Sequence, residues 1–253
     1  MEAGELGLYM FFACAFATLL QHPASPVRHF ITSSLARRAL YGLAMGSTVI
    51  GIITTPWGKQ SGGHFNPAMT FTFYRLGKVK FWDALFYIAG QFVGAISGVA
   101  IARYVLRGAP GNDAVRYAIT VPGAHGSGVA FVAELTISFV LMLTVLFVST
   151  RQTLARYTPY FVGTLVAVYL TVEAPLSGMS TNPARTFGSA LQAGYWRALW
   201  VYFTAPQLGM LAAAEVFLGI RGGVAPYCAK LYHASDKRCI FQHGYSTARN
   251  SEI

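Results

Sequence analysis

The feature that most constrains this chain is an Asn-Pro-Ala triplet that occurs twice. The two copies are Asn66-Pro67-Ala68 and Asn182-Pro183-Ala184. Each copy follows a Ser-Gly stretch and precedes a run that favours a helix, in the segments SGGHFNPAMTF and PLSGMSTNPARTFG. A single Asn-Pro pair is a common helix start. Two copies with similar flanks instead predict a structural unit that the chain uses twice.

The composition indicates that the triplets lie in a membrane protein. Of the 253 residues, 54% are hydrophobic and 11% are charged, and the mean hydropathy is +0.46. An average soluble chain carries about 25% charged residues. The formal net charge is +10, but the cations lie mainly in short connections and in the tail. They form no stripe beside stacking aromatic residues, so we expect no nucleic-acid partner.

Six apolar segments approach the roughly 20 residues that a bilayer-spanning helix requires. They are approximately residues 4–20, 35–54, 81–106, 128–149, 160–172 with some extension upstream, and 196–220. We expect the first segment to be a retained helix rather than a signal peptide, because Glu2 and Glu5 precede it and no basic stretch does. The chain is therefore predicted to be an integral, multi-pass protein of the lipid bilayer.

The position of the triplets predicts an inverted repeat. One triplet lies between the second and third spans and the other between the fifth and sixth, so each half has three spans and one half-length segment. A unit with an odd number of crossings inserts upside down the second time. We predict an all-α membrane fold with six transmembrane helices and two re-entrant half-helices. We expect residues 1–220 to form one membrane domain, with halves of about 1–110 and 125–220, and residues 221–253 to form a basic cytoplasmic tail.

Carboxylates in apolar surroundings are expected to support the irregular loops. Glu134 lies inside an apolar span, where a carboxylate is expensive and requires a partner. We expect Glu134, and one of Glu2 or Glu5, to accept hydrogen bonds from backbone amides of the loops that precede the half-helices.

The motifs SGGHFNPA and SGMSTNPAR, the six spans and their spacing resemble the aquaporin, or major intrinsic protein, family over residues 2–220. The resemblance implies a right-handed bundle of six tilted helices, two half-helices that meet at its centre, a pore in each protomer, and a homotetramer. We interpret the chain as a bacterial-type member and expect it in the inner (plasma) membrane.

The paired asparagines suit a water pore. An Asn at a half-helix start caps the helix while its amide still offers N–H donors, and the following Pro has no N–H to satisfy. Two half-helix N-termini at one midplane point repel cations, and two Asn donors that hold one water oxygen interrupt the chain along which protons hop. The expected carbonyl acceptors for water are those of Gly62, Gly63, His64, Phe65, Gly178, Met179, Ser180 and Thr181.

Arg185 follows the second triplet directly, and a charged residue at that depth is expected to face water. It resembles the constriction arginine of the family. By family offsets the other constriction positions are Met179, Leu170, and either Met45 or Gly46, since the segment before Asn66 is one residue longer than usual. This filter is apolar apart from Arg185, unlike the water-selective pattern with a histidine in the fifth span. Other positions resemble the water-type subgroup, namely Thr186, Ala190 and the pair Tyr202-Phe203.

The predicted function is passive conduction of water and small uncharged solutes with exclusion of protons and ions. The alternatives are a facilitator of glycerol, ammonia, hydrogen peroxide or a metalloid acid with little water flow, and a closed structural membrane protein. The sequence contains no cluster of nucleophile, base and orienting residue, no phosphate loop and no metal-binding helix motif, so we expect neither an enzyme nor a cofactor.

Two features outside the pore motif leave alternatives open. Cys228, His233, Cys239 and His243 could supply ligands to a metal, but their spacing is unlike that of a compact zinc knuckle. We therefore favour a solvated basic tail near anionic lipid and expect no metal. The His64 side chain is expected either to line the pore or sense pH, or to brace the loop.

Overall fold

The computed structural model describes residues 1–233 and 239–241, and the described part of the chain is helical with no strand. The residues ahead of each triplet's half-helix are irregular, and the rest of the membrane domain consists of long helices joined by short connections. The helices are α1 (Glu2–Gln21), α2 (Pro26–Phe30), α3 (Ser34–Thr54), α4 (Pro56–Ser61), α5 (Pro67–Arg75), α6 (Phe81–Val105), α7 (Gly126–Thr150), α8 (Thr158–Val172), α9 (Ala174–Ser177), α10 (Pro183–Ala193) and α11 (Leu199–Ile220). Three single-turn 3₁₀ helices lie at Ala109–Gly111, Arg116–Ala118 and Ala155–Tyr157.

The six predicted spans correspond to α1, α3, α6, α7, α8 and α11. Four of them, α1, α6, α7 and α11, are each long and apolar enough to cross a membrane. Helix α8 has 15 residues and is the shortest of the six, while α11 begins at Leu199 rather than at the predicted Trp196. The additional residue before Asn66 lies in a segment that forms the short helix α4, which the sequence did not predict.

The long helices pack in pairs that place the half-helices at the centre. Helix α1 packs along α6, α7 packs along α11, and α3 packs along α8. Half-helix α5 contacts α6 and α11, and half-helix α10 contacts α11 and α6. Each half-helix therefore touches the last long helix of both halves, which is the arrangement that an inverted repeat produces.

Helices α3 and α8 meet through glycines, because their backbones approach too closely for a side chain. A Cβ atom on Gly46 would lie 2.4 Å from the carbonyl oxygen of Gly163, and one on Gly163 would lie 2.6 Å from that of Gly46. Small residues allow this approach between membrane helices. Gly46 is thus part of the contact between α3 and α8.

The tail after α11 differs from the expected solvated segment. Cys228, Ala229, Lys230 and Leu231 are exposed by only 3%, 0%, 2% and 1%. They pack against the first loop instead of extending into water, because Ala229 and Leu231 join the main hydrophobic core. Of the four residues considered as metal ligands, His243 lies outside the described residues. Within residues 1–233 and 239–241 no group of three or more potential ligands comes together.

Candidate pore site

Both asparagines cap their half-helices with their side-chain oxygens. Asn66 Oδ1 accepts a hydrogen bond from the backbone amide of Ala68 at 2.9 Å, and Asn182 Oδ1 accepts one from the amide of Arg185 at 3.2 Å. A proline follows each cap at the first helical position, where its missing N–H removes one unsatisfied donor. The caps direct the two side-chain nitrogens away from their own helices.

The side-chain nitrogens form reciprocal bonds between the two loops. Asn66 Nδ2 donates to the carbonyl of Thr181 at 2.8 Å, and Asn182 Nδ2 donates to the carbonyl of Phe65 at 2.7 Å. Each acceptor is the residue just before the other asparagine. Since an amide nitrogen carries two hydrogens, each asparagine retains one further donor. The two half-helices therefore start side by side at one place in the molecule.

Buried carboxylates hold the loops that lead to the half-helices. Glu2 accepts from the amides of His64 (3.1 Å) and Phe65 (2.7 Å). Glu134 accepts from the amides of Ser180 (2.6 Å) and Thr181 (2.7 Å). These contacts satisfy donors that an irregular loop at membrane depth leaves without helical partners.

Glu5 plays a different part from Glu2. Its carboxylate accepts from Ser61 Oγ at 2.7 Å, and Ser61 Oγ in turn accepts from the amide of Gly63. In the second loop Ser177 lies between Glu134 and the amide of Met179 in the same way. The two loops therefore use equivalent serines, five residues before each asparagine.

The loops hold backbone conformations that side chains disfavour. Phe65, Met179 and Thr181 have φ angles of +31°, +53° and +53°. Each such non-glycine residue costs on the order of 1–3 kcal/mol unless its surroundings enforce it. Glu2 and Glu134 supply that enforcement, because they bind the amides of Phe65 and Thr181 themselves.

A cavity at the half-helix junction, which we call the inner cavity, is lined by both asparagines and by Leu231 of the tail. Its volume for water-sized molecules is about 40 Å³, which is room for roughly three waters. The wall is apolar except for the asparagines and the loops. It is formed by Tyr9, Val49, Gly63, His64, Phe65, Asn66, Met69, Leu141, Val162, Val166, Met179, Ser180, Thr181, Asn182 and Leu231.

A second cavity of about 120 Å³, which we call the outer cavity, is lined by Arg185 and Leu170 together with Tyr41 and Gly178. Arg185 is only 3% exposed, and its Nε and Nη1 form no hydrogen bond with residues of the described chain. A buried guanidinium with unpaired donors is expensive, and the cavity that Arg185 lines has room for a molecule that accepts from it.

The predicted filter residues are divided between the two cavities. Leu170 and Arg185 line the outer cavity, and Met179 lines the inner one. Met45 is fully buried and lines neither of these two cavities in the described part of the chain. Sequence reasoning missed Tyr41, although it lies four residues before Met45 on α3 and hence about one turn away on the same face.

Several of the predicted carbonyl acceptors have protein partners. The carbonyl of Gly62 accepts from the amide of Leu231 at 3.0 Å, and those of Phe65 and Thr181 accept from the asparagine side chains. Gly63, His64, Met179 and Ser180 line the inner cavity, whereas Gly178 lines the outer one.

The His64 side chain braces the first loop. Its Nε2 donates to the carbonyl of Ala229 at 2.7 Å, its Nδ1 lies 3.1 Å from Thr70 Oγ1, and its ring stacks on Phe73. Gln91 extends this network by donating to Glu2 at 2.6 Å. Gln91 was not among the predicted site residues. The signal that could have found it is its position as a polar residue inside an apolar helix.

Comparison with known proteins gives the same family. The sequence model described as Major intrinsic protein matches residues 3–217. The chain is 32% identical over 235 residues to an aquaporin of PIP type from Atriplex canescens, with 84% of this chain and 82% of that protein covered. It is 31% identical to aquaporin NIP3-1 from Zea mays, with coverages of 85% and 67%. It is also 31% identical to aquaporin NIP2-3 from Zea mays, with 73% of this chain and 60% of that protein covered.

A solved structure of the aquaglyceroporin from Plasmodium falciparum shares the fold. The TM-score is 0.70 at 19% sequence identity, with 85% of this chain and 92% of that chain covered. The match over residues 3–217 establishes that the chain belongs to the major intrinsic protein family. It is an integral, multi-pass membrane protein, and the family consists of passive channels rather than enzymes.

Proposed function

We propose that the protein conducts water and small uncharged solutes passively and excludes protons and ions. The observation that carries this proposal is the pair of reciprocal bonds between Asn66, Thr181, Asn182 and Phe65. They bring two helix N-termini and two further amide donors to one cavity wall.

Proton exclusion follows from the charge at that junction. Each half-helix N-terminus carries about half a positive charge, so two of them raise the energy of a cation at the centre. The remaining N–H of each asparagine donates to a water oxygen, which leaves that water unable to accept a proton from its neighbour. The buried Arg185 adds a full positive charge on the outer side.

Selectivity among neutral solutes depends on the filter, which we assign to Leu170, Met179 and Arg185, with Met45 as its position on α3, buried behind the cavity walls. Three of these four side chains are apolar, so the filter replaces fewer of the hydrogen bonds of water than a polar filter does. This composition favours passage of small neutral solutes beside water. It also supports the alternative of a solute facilitator with little water flow.

The assembly is proposed to be a homotetramer in a lipid bilayer, with one pore in each protomer, as the family resemblance implies. Large apolar side chains on the outer faces of the helices, such as Phe86, Val132 and Leu208, are exposed and require lipid or another subunit as cover. The relatives named above come from plants, and the bacterial inner membrane stays a prediction.

Shrinkage of proteoliposomes tests the proposed function. The protein is reconstituted, and light scattering follows volume after a jump in sorbitol or in glycerol. If the protein is an open channel, liposomes that contain it shrink faster in sorbitol than empty liposomes do. Re-swelling of the liposomes in glycerol shows that glycerol enters. Fast glycerol entry with lipid-like water flow identifies the facilitator, while lipid-like rates for both reject an open channel. Asn182→Asp, which places a carboxylate at the junction, serves as the variant expected to admit cations.

A further inference from the structure

The segment after α11 is buried in a place where a pore needs an opening. Leu231 lines the inner cavity together with Asn66 and Asn182 and is 1% exposed. The remaining wall of that cavity comes from the helices and the two loops, so Leu231 is the contribution of the tail. Its isobutyl group gives the cavity an apolar wall beside the asparagines.

Backbone and ring contacts attach the segment to the first loop. The amide of Leu231 donates to the carbonyl of Gly62 at 3.0 Å, and His64 Nε2 donates to the carbonyl of Ala229 at 2.7 Å. Lys59 lies over the ring of Tyr232, 5.6 Å from its centroid. The tail thereby uses a carbonyl of the loop that was expected to bind water.

A second part of the tail covers the first. The Phe241 ring stacks on the His64 ring, with centroids 5.8 Å apart and an interplanar angle of 12°. Cys239 Sγ lies 3.2 Å from Cys228 Sγ, and both residues are thiols in the structure. Closing this gap to a disulfide of about 2.05 Å needs a movement of roughly 1 Å.

We propose that residues 228–232 are a plug that closes the inner mouth of the channel, and that a disulfide between Cys228 and Cys239 fastens it. The proposal rests on the channel function proposed above. When the thiols are reduced the plug is free to leave, and when they are joined the tail has fewer undocked conformations. By the chain-entropy argument a crosslink of this loop length shifts docking by about a hundredfold.

The oxidation is balanced with hydrogen peroxide as the oxidant. Cys239, which is more exposed than Cys228, attacks the peroxide oxygen and becomes a sulfenic acid as the first water leaves. The Cys228 sulfur then displaces the hydroxyl, so that the S–S bond forms and a second water leaves. The hydrogen bond to Cys239 and burial raise the pKa of the Cys228 thiol, which makes it the resolving rather than the attacking residue. A dithiol reverses the step by exchange.

The plug is tested in the full chain by shrinkage in sorbitol, after treatment with hydrogen peroxide or with dithiothreitol. Leu231→Asp should expel the plug, because an acid is disfavoured in an apolar cavity. Val224→Asp makes the same change at an exposed tail residue and is the control. We expect Leu231→Asp to conduct in both treatments, and wild type and Val224→Asp to conduct up to about a hundredfold faster when reduced, by the same shift in the docked population. Equal rates for Leu231→Asp and Val224→Asp in oxidised liposomes overturn the plug.

The thiols are tested in the same assay with Cys228→Ser and Cys239→Ser, and with Cys14→Ser as a control in α1. The first two should conduct after peroxide treatment, and Cys14→Ser should close like wild type. Thiol labelling followed by mass measurement should find the bond between Cys228 and Cys239. Absence of that bond, a bond that leaves the rate unchanged, or one zinc ion per purified chain overturns the redox fastening. Lipid-like rates in every variant and treatment reject the channel function itself, and the plug with it.

Discussion

At the scale of single residues, the chemistry of this site is concentrated in Arg185. The residue follows the cap Asn182 within the first turn of α10, so its position is set by the same hydrogen bond that starts the helix. Its buried Nε and Nη1 make no bond within the described chain, and Arg185 lines the outer cavity. In the proposed channel, this one side chain both donates to passing solutes and repels cations.

Arg185→Val is expected to admit protons while water flow persists. At an effective dielectric constant near 20, a unit charge about 5 Å away contributes roughly 3 kcal/mol to a cation barrier, or on the order of a hundredfold in rate. A pH-sensitive dye inside proteoliposomes measures the leak. Arg38→Val is the control, since Arg38 lines the same cavity but donates its Nε to the carbonyl of Thr171. Equal leaks in the two variants would show that Arg185 is not the barrier.

At the scale of elements, the position of α8 depends on glycines rather than on large apolar side chains. Gly42 and Gly46 on α3 both lie against the α8 backbone, since a Cβ added to either would lie 2.4 Å from a carbonyl oxygen, that of Ala167 or of Gly163. Packing of this kind gains dispersion and backbone contact where lipid offers no hydrophobic drive. Leu170, on the same helix, is thereby brought into the outer cavity.

Gly46→Ala should lower stability, because the added methyl group pushes α3 away from a carbonyl that cannot move alone. We expect a loss of about 1–3 kcal/mol, as in other overpacked contacts. Gly51→Ala is the matched control on α3, since a Cβ there meets nothing within 4 Å. This control should be more stable than wild type by up to about 1 kcal/mol, because alanine has the higher helix propensity. Thermal unfolding of both variants in one detergent measures the difference. Similar melting temperatures would contradict the tight contact.

At the scale of the whole molecule, the two halves are joined at the asparagines. Each reciprocal bond crosses from one half of the chain to the other, over 115 residues for Asn66 and 117 residues for Asn182. The two bonds close the same contact between the loops. Losing one should weaken the geometry that supports the other, so we expect the two asparagines to be energetically coupled.

A double-mutant cycle tests this coupling. Asn66→Ala and Asn182→Ala should each lose about 1–3 kcal/mol through the cap and the buried bond, and the double variant should lose less than the sum by 0.5 kcal/mol or more, within the range of about 0.5–3 kcal/mol for residues in contact. Ser33→Ala removes only the cap of α3 and should add to either variant. Additive losses for the asparagine pair would mean that each loop is held independently.

The sequence by itself determined the class of fold and the residues at its centre. The length of the apolar segments predicts membrane-spanning helices, because backbone N–H and C=O groups in lipid must form hydrogen bonds within a helix. A helix-capping motif that occurs twice, each time in a unit with an odd number of spans, predicts an inverted repeat. A carboxylate inside a span, such as that of Glu134, predicts a buried hydrogen-bond partner. These signals are local, since each depends on residues a few positions apart.

Only the tertiary structure decided which distant groups meet. Glu2 rather than Glu5 holds the first-loop amides, although both lie on α1 and are separated by less than one turn. Tyr41 enters the outer cavity because glycines bring α3 against α8. Leu231 reaches the inner cavity through contacts with a loop about 165 residues earlier. Such contacts depend on shape and on which backbone groups remain unpaired after the helices have packed, and no short stretch of sequence carries that information.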